Sequence, residues 1–119
     1  MKMLQVLLTL CFAASVAYGR EPIEDQKIEF LISAIAELPD AVFIRNGSEY
    51  SAQQAADHMH LKLRRAGDRV KTVDDFIAYC ATGSSVSGQP YTIKFQDGRV
   101  VPSADFLRAK LTEFVPRPH

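Results

Sequence analysis

Apolar side chains recur at helical spacing in four segments of the chain, and each segment is bounded by residues that start or stop helices. The predicted helices are Pro22 to Leu38, Ser51 to Ala66, Thr72 to about Thr82, and Ser103 to about Phe114. Their apolar stripes comprise Ile23, Ile28, Leu31, Ile32 and Ile35; Ala52, Ala56, Met59, Leu63 and Ala66; Val73, Phe76, Ile77 and Cys80; and Phe106, Leu107, Leu111 and Phe114. Each stripe is expected to face a common core.

The beginnings of these helices carry recognisable capping signals. Ser51 with Gln54, and Thr72 with Asp75, have the spacing of a capping box, in which each side chain bonds the backbone of the other residue. Ser103 is predicted to be the N-cap of the last helix, because a serine side chain can accept a hydrogen bond from a free backbone N–H of the first turn.

Two short stretches between the helices have the pattern of β-hairpins. Asn46-Gly47 and Asp97-Gly98 lie between apolar or β-favouring residues, and both pairs suit the positive φ angles of tight hairpin turns. Such hairpins are too small to be stable alone, so we expect them to join or to pack side by side under the helices. The sequence therefore predicts one small α+β domain of about four helices packed on two short antiparallel β-hairpins.

Residues 1–19 have the pattern of a secretory signal peptide: a basic start, an apolar run and small residues before Arg20. Cleavage is expected after Gly19 or after Ala17. A retained membrane anchor is the alternative, but the apolar run is shorter than the roughly 20 residues that span a bilayer. We predict a periplasmic protein with one domain over residues 20–115 and a frayed tail over 116–119, touching the membrane only through the uncleaved signal segment.

Charge and cysteine content narrow the class of protein. The formal net charge is +0 and no strongly basic cluster stands out, which argues against nucleic acid as a partner. The chain has two cysteines, and Cys11 would leave with the signal peptide, so an intramolecular disulfide is not expected. Cys80 lies on an apolar stripe, which favours burial, although a disulfide between two chains is the alternative.

His58 and Lys62 lie four residues apart on the second predicted helix and share a face that borders its buried side. The chain has no HExxH sequence and no zinc-type Cys/His spacing, so neither a metal site nor a cofactor is predicted. A structural hydrogen bond is the favoured role of His58, because catalysis needs partners that the sequence does not supply.

The loop after the third helix contains three serines in four positions, Ser84, Ser85 and Ser87. It lacks the G-x-S-x-G sequence of a nucleophile elbow, and a helix precedes it where that motif requires a strand. The favoured interpretation is a loop whose hydroxyls bond its own backbone. The alternative is a serine nucleophile with a nearby base. Its candidate catalytic residues are His58, Lys62, Ser85 and Ser87.

Several of these residues together resemble the YfeK-like family of small, uncharacterised bacterial secreted proteins. The resemblance rests on the run Phe43 to Tyr50, on Ala55, His58, Lys62, Thr72, Phe76 and Ile77, and on the run Ser84 to Tyr91. The family implies a compartment and a shared motif, but no activity. It draws His58, Lys62 and the Ser84–Tyr91 segment into one motif. The candidate binding residues are Arg45, Asn46, Ser84, Ser85, Ser87 and Tyr91.

Two functions from different classes fit these observations. The favoured one is a non-catalytic periplasmic module that binds a protein, a peptide or an envelope component, or that supports envelope assembly. The alternative is a small serine-dependent hydrolase or acyl-transfer enzyme that uses the Ser84–Ser87 loop. A homodimer, formed through the Leu61 side of the second helix or through an exposed Cys80, is a further option.

Overall fold

Four α-helices and a four-stranded antiparallel sheet account for most of residues 19–84 and 86–118, which the computed structural model describes. The helices are α1 (Pro22–Ala36), α2 (Ala52–Ala66), α3 (Val73–Phe76) and α4 (Ser103–Leu111). The strands are β1 (Val42–Arg45), β2 (Ser48–Tyr50), β3 (Thr92–Lys94) and β4 (Val100–Pro102). This architecture confirms the α+β class. The predicted signal peptide, apart from Gly19, lies outside the described residues, and no helix within them is long and apolar enough to cross a membrane.

The two hairpins join into one sheet. The strand order is β2-β1-β3-β4, and every neighbouring pair is antiparallel. Where β1 meets β3, Phe43 lies opposite Ile93, and both side chains are buried in the core. The join therefore removes one edge from each hairpin and buries apolar surface between the sheet and the helices.

The two hairpin turns differ in geometry. In the first turn, Asn46 and Gly47 have φ angles of 52° and 79°, as predicted for a two-residue turn. In the second turn, only Gly98 has a positive φ, at 91°. There the Gly98 N–H donates to the Phe95 carbonyl, and the Phe95 N–H donates to the Arg99 carbonyl. The Asp97-Gly98 pair thus belongs to a three-residue loop that ends in a left-handed glycine.

Helix α1 supplies much of the core, with Ile28, Leu31, Ile32 and Ile35 buried as predicted. Ile23 is an exception, because it is 36% exposed. It precedes Ile28 by five positions, which rotates it about 140° around the helix, away from the buried stripe. The helix ends at Ala36 and not at Leu38, because the residue before Pro39 is disfavoured in the helical region.

Both predicted capping boxes are present. The Ser51 hydroxyl accepts from the Gln54 N–H at 3.1 Å, and the Thr72 hydroxyl accepts from the Asp75 N–H at the same distance. In each box the side chain of the third residue also accepts from the backbone N–H of the cap. The starts of α2 and α3 are therefore determined locally, and Gly67 follows the last residue of α2 as predicted.

The third predicted helix changes its winding part-way. Only Val73–Phe76 is α-helical, and the chain continues as a π-helical turn over Ile77–Ala81. The stripe is nevertheless buried, and Cys80 is 1% exposed. Burial of Cys80 is therefore confirmed, and the suggestion of an exposed Cys80 that links two chains is wrong.

Helix α4 begins differently from the prediction. Its N-cap is Pro102, and Ser103 is the first helical residue with a side chain 1% exposed. The prediction that Ser103 caps the helix is wrong because β4 runs directly into α4, leaving no residue to connect them. The Ser103 N–H instead donates to the Tyr91 carbonyl at 2.9 Å. Phe114 lies beyond the end of α4, and its ring meets Phe30 edge to face at 5.5 Å.

Candidate functional site

Helix α2, the first hairpin and the segment leading into β3 enclose a small cavity of about 40 Å³. Its lining residues are Phe43, Ile44, Arg45, Tyr50, Ala55, His58, Met59, Lys62, Cys80, Tyr91 and Ser103. These residues come from five elements and one loop, so only the folded chain brings them together. A buried water needs roughly 10–15 Å³, so the cavity is large enough to admit a small polar group.

Helix α2 contributes one face to the cavity. Ala55, His58, Met59 and Lys62 are spaced three and four residues apart, and all four line it. The predicted shared face of His58 and Lys62 is therefore present. The His58 ring also packs against the Tyr50 ring of β2, with 5.0 Å between the centroids.

Arg45 at the end of β1 is bonded to His58. The Arg45 Nη1 and the His58 Nδ1 are 3.1 Å apart. A guanidinium has only donors, so Nδ1 is the acceptor and the neutral ring carries its proton on Nε2. This is a hydrogen bond of the kind that the sequence favoured for His58, and a role of His58 in a reaction stays a prediction.

Lys62 ties α2 to the serine loop. Its Nζ donates to the Tyr91 hydroxyl at 2.7 Å and to the Gly83 carbonyl at 3.5 Å. The same Nζ lies 4.8 Å from the centroid of the Tyr91 ring, and the Arg45 Cζ lies 6.0 Å from it. Two cations therefore gather at one aromatic ring, whose electron-rich face attracts both.

The cavity has cations but no carboxylate. No aspartate or glutamate is among its lining residues. Within residues 19–84 and 86–118, the ion pairs lie elsewhere, and none of them includes Arg45 or Lys62. Two cationic side chains thus border a partly buried space, and neither is ion-paired with a carboxylate in the described part of the chain.

Two buried donors at the cavity also have no partner among the described residues: the Arg45 Nε and the Ser103 hydroxyl. Buried polar groups in native proteins are almost always hydrogen-bonded, because leaving one unbonded costs about 1–3 kcal/mol. Arg45 and Ser103 both line the same cavity, so a hydrogen-bond acceptor bound there would lie close to both donors.

Cys80, at the π-helical turn, forms part of the apolar wall. Burial raises the pKa of the Cys80 thiol, and the positive charge of Lys62 opposes this only in part. The thiol is thus protonated near neutral pH and behaves as a small apolar side chain.

The described serines of the loop bond within the loop or to the first hairpin. The buried Ser84 hydroxyl accepts from the N–H groups of Val86 and Ser87 at 3.1 and 3.3 Å. The Ser87 hydroxyl donates to the Asn46 side-chain carbonyl. None of these hydrogen bonds involves His58 or Lys62. Ser85 lies outside the described residues.

Gly83 allows the loop to close tightly. A Cβ atom at this position would lie 2.8 Å from the Gln89 carbonyl oxygen, so only glycine fits without a shift of the backbone. The Ser84 N–H donates to that same carbonyl at 3.0 Å. This closure places Gly83 and Tyr91 side by side, where Lys62 bonds to both.

Sequence reasoning found part of this site. Arg45, His58, Lys62 and Tyr91 were all singled out, and the structure brings them to one cavity. Asn46 and Ser87 are exposed and are hydrogen-bonded to each other, and Ser84 bonds within the loop. Tyr50 and Ser103 were missed. Tyr50 faces Phe43 across the hairpin, a register that the Asn46-Gly47 turn implies, whereas nothing local marks Ser103 as a cavity residue.

The sequence of the described domain matches a known family. The model of a family of unknown function, DUF5329, covers residues 22–115. The chain belongs to this family. A relative from Salmonella typhimurium strain LT2, called "Uncharacterized protein YfeK", is 35% identical over 68 residues, which are 57% of this chain and 57% of the relative. The resemblance to YfeK-like proteins is thus confirmed, although the aligned part is little more than half of that relative's length. No solved structure matches the chain.

Proposed function

We propose that this DUF5329 chain is a non-catalytic binding module of the bacterial periplasm, which holds an anionic group of its partner in the cavity beside α2. The observation that carries the proposal is the pair of cations, Arg45 and Lys62, that border the cavity while no carboxylate lines it. The signal-peptide pattern of residues 1–19 supports the periplasmic compartment.

Charge and hydrogen bonding both favour an anion in this space. Partly buried charges lose hydration, and an ion of opposite sign offsets that cost when it is also hydrogen-bonded. Two of the three N–H groups of Lys62 donate to Tyr91 and Gly83, so one donor is available. The Tyr91 hydroxyl accepts from Lys62, so its own proton is also free to be donated.

The size of the cavity supports binding of an end group only. A volume of about 40 Å³ is far below the roughly 300–1,000 Å³ of pockets that bury a whole small molecule. Most of the partner would therefore lie outside, against the surface around Asn46 and Ser87. This suits a protein, a peptide or an envelope component that presents an acidic group.

Cross-linking in the periplasm tests the proposal. The tagged full chain is expressed at native level with its own signal sequence, and cross-linked partners are identified by mass spectrometry. We expect Lys62→Met to lose the partner because it removes a cavity cation. Lys94→Met is the matched control, since it removes the same charge from an exposed position on β3, and it should retain the partner.

Equal recovery with wild type and Lys62→Met, with both chains shown to be folded by circular dichroism, would contradict the proposal. The non-catalytic part has its own test, labelling with a fluorophosphonate probe that reacts with activated serines. No labelling is expected. Labelling that Ser85→Ala or Ser87→Ala removes would establish the hydrolase alternative instead.

A further inference from the structure

We propose that the anion is a carboxylate, held side-on by the Nε–Nη2 edge of Arg45 and by the hydroxyl of Ser103. This inference rests on the proposed function and specifies the chemical class of the bound group. It is carried by the geometry of one guanidinium, by two unbonded donors and by the apolar wall of the cavity.

One nitrogen of the Arg45 guanidinium already has a hydrogen-bond partner. Its Nη1 donates to the His58 Nδ1 at 3.1 Å, whereas its Nε is buried with no hydrogen-bond partner in the described part of the chain. The N–H bonds of Nε and Nη2 run parallel along one edge of the planar group, at a separation that matches the two oxygens of a carboxylate. That edge is the one that His58 leaves free.

His58 is itself held in place, so it fixes the direction of that edge. The His58 ring packs against Tyr50, and its backbone belongs to the regular helix α2. An arginine held in this way loses little further side-chain entropy on binding, which favours affinity for a ligand of matching shape.

Ser103, the first residue of α4, adds a second donor from a distant part of the sequence. Its side chain is 1% exposed and its hydroxyl has no partner among the described residues, although it lines the same cavity. Its backbone is anchored by the bond to the Tyr91 carbonyl. A hydroxyl can donate its proton to an anion, so a bound carboxylate would satisfy both unbonded donors.

The lining of the cavity separates a carboxylate from a phosphate. A carboxylate has two oxygens with a carbon beside them, whereas a phosphate has four oxygens that all need hydrogen-bond donors. The cavity combines a few donors with a largely apolar wall, so it satisfies a carboxylate but would leave oxygens of a phosphate unbonded. The apolar wall formed by Phe43, Ala55 and Met59 suits the carbon that bears the carboxylate.

Nuclear magnetic resonance titrations of the purified protein at neutral pH and constant ionic strength test the inference, with sodium acetate and sodium phosphate as probes. Acetate should shift the amide signals of Arg45, Tyr91 and Ser103, with a Kd lower than that of phosphate by roughly tenfold or more. A factor of ten corresponds to the loss of about one charge-assisted hydrogen bond.

Two substitutions test the geometry. Arg45→Lys keeps the positive charge but removes the two parallel N–H donors of Nε and Nη2, so it should raise the acetate Kd roughly tenfold. Arg64→Lys, at an exposed position of α2, is the matched control and should leave the Kd unchanged. Ser103→Ala should raise the Kd by a smaller factor.

The titrations and the cross-linking together distinguish failure of the carboxylate assignment from failure of the proposed function. Phosphate binding as tightly as acetate, or full acetate affinity in Arg45→Lys, would overturn the carboxylate assignment while leaving an anion-binding module intact. If neither anion shifts a cavity signal, and Lys62→Met still captures the wild-type partner, the proposed function itself is wrong.

Discussion

The apolar core and the cavity beside α2 differ in whether their buried groups have partners within the protein. In the core, Leu31, Phe76 and Leu107 are 0% exposed and are surrounded by other apolar side chains. At the cavity, the buried Arg45 Nε and the buried Ser103 hydroxyl have no hydrogen-bond partner among the described residues. The core is thus complete within the chain, whereas the cavity keeps hydrogen-bonding capacity for a group from outside.

The two regions share a wall, which explains how a small domain keeps an incompletely satisfied site. Phe43, Met59 and Cys80 belong to the core cluster and also line the cavity. Their burial stabilises the fold, and the same packing holds the polar residues in position. Stability and binding should therefore respond to different substitutions.

The largest loss of stability is expected from the core. Phe76→Ala removes a fully buried ring from the junction of α3 with the π-helical turn. It should lower the free energy of unfolding by about 3–5 kcal/mol, because the lost burial is compounded by a cavity. Urea unfolding followed by circular dichroism measures the change.

Phe106→Ala is the matched control, because Phe106 is only partly buried against the core. It should cost clearly less than Phe76→Ala. Equal losses from the two substitutions would show that the core does not centre on Phe76.

A smaller, pH-dependent loss is expected at the junction of α1 and α3. The Glu24 carboxylate accepts from the Val73 N–H at 2.9 Å and from the Lys27 Nζ at 3.2 Å. The bond from Val73 is the main cause that lowers the pKa of Glu24 from its ordinary value of 4.5, and burial opposes it. Glu24→Gln should cost about 1 kcal/mol near neutral pH, because the amide accepts more weakly than the carboxylate.

The sign of the pH dependence follows from the lowered pKa. The stabilisation by Glu24 is complete above the unfolded pKa and is lost as the pH falls through the lower folded pKa. The difference between wild type and Glu24→Gln should therefore shrink as the pH falls from about 7 towards 3, measured by urea unfolding. Glu29→Gln, at an exposed carboxylate of the same helix that pairs with His60, should change stability little at either pH. A difference for Glu24→Gln that stays constant with pH would show that the Val73 bond does not depend on the charge.

The smallest effect on stability is expected at the cavity. Arg45→Met removes a charge and a buried unbonded donor while keeping an unbranched side chain of similar reach. It should change the free energy of unfolding by less than about 1 kcal/mol in either direction, because removal of the buried, unbonded Nε offsets the lost hydrogen bond from Nη1 to His58. The same substitution should abolish acetate binding.

Arg20→Met provides the contrast. Arg20 donates to the Val70 carbonyl at 2.9 Å and pairs with Asp25 at 3.1 Å, so its donors are used within the fold. It should lose about 1 kcal/mol of stability. If Arg45→Met were the more damaging of the two in urea unfolding, Arg45 would have to be regarded as a structural residue.

Local signals predicted most of the elements correctly. The Ser51–Gln54 and Thr72–Asp75 boxes act within four residues, so their geometry is independent of the rest of the fold. The prediction was less accurate where the chain is constrained from a distance. The π-helical turn at Ile77–Ala81 has the same apolar stripe as an α-helix, and no residue of this segment indicates the change in winding.

The candidate site likewise has features that local signals predict and features that depend on distant contacts. The spacing of His58 and Lys62 on α2 placed them on one face, because helical periodicity is a local property. That Arg45 bonds to His58, and that Tyr91 bonds to Lys62, depends on contacts between residues 13 and 29 positions apart in the chain. Spacing alone cannot select such pairs from the other polar residues.

The sequence by itself determined the α+β class, the starts of α2 and α3, the Asn46-Gly47 turn, the burial of Cys80 and the family, because short-range preferences and apolar periodicity encode these properties. Only the tertiary structure decided that the two hairpins share one sheet and that β4 runs straight into α4. That junction turns Ser103 from an expected helix cap into a buried donor at the cavity. The cavity itself is created by packing between distant segments, and its unbonded donors exist only once those segments meet.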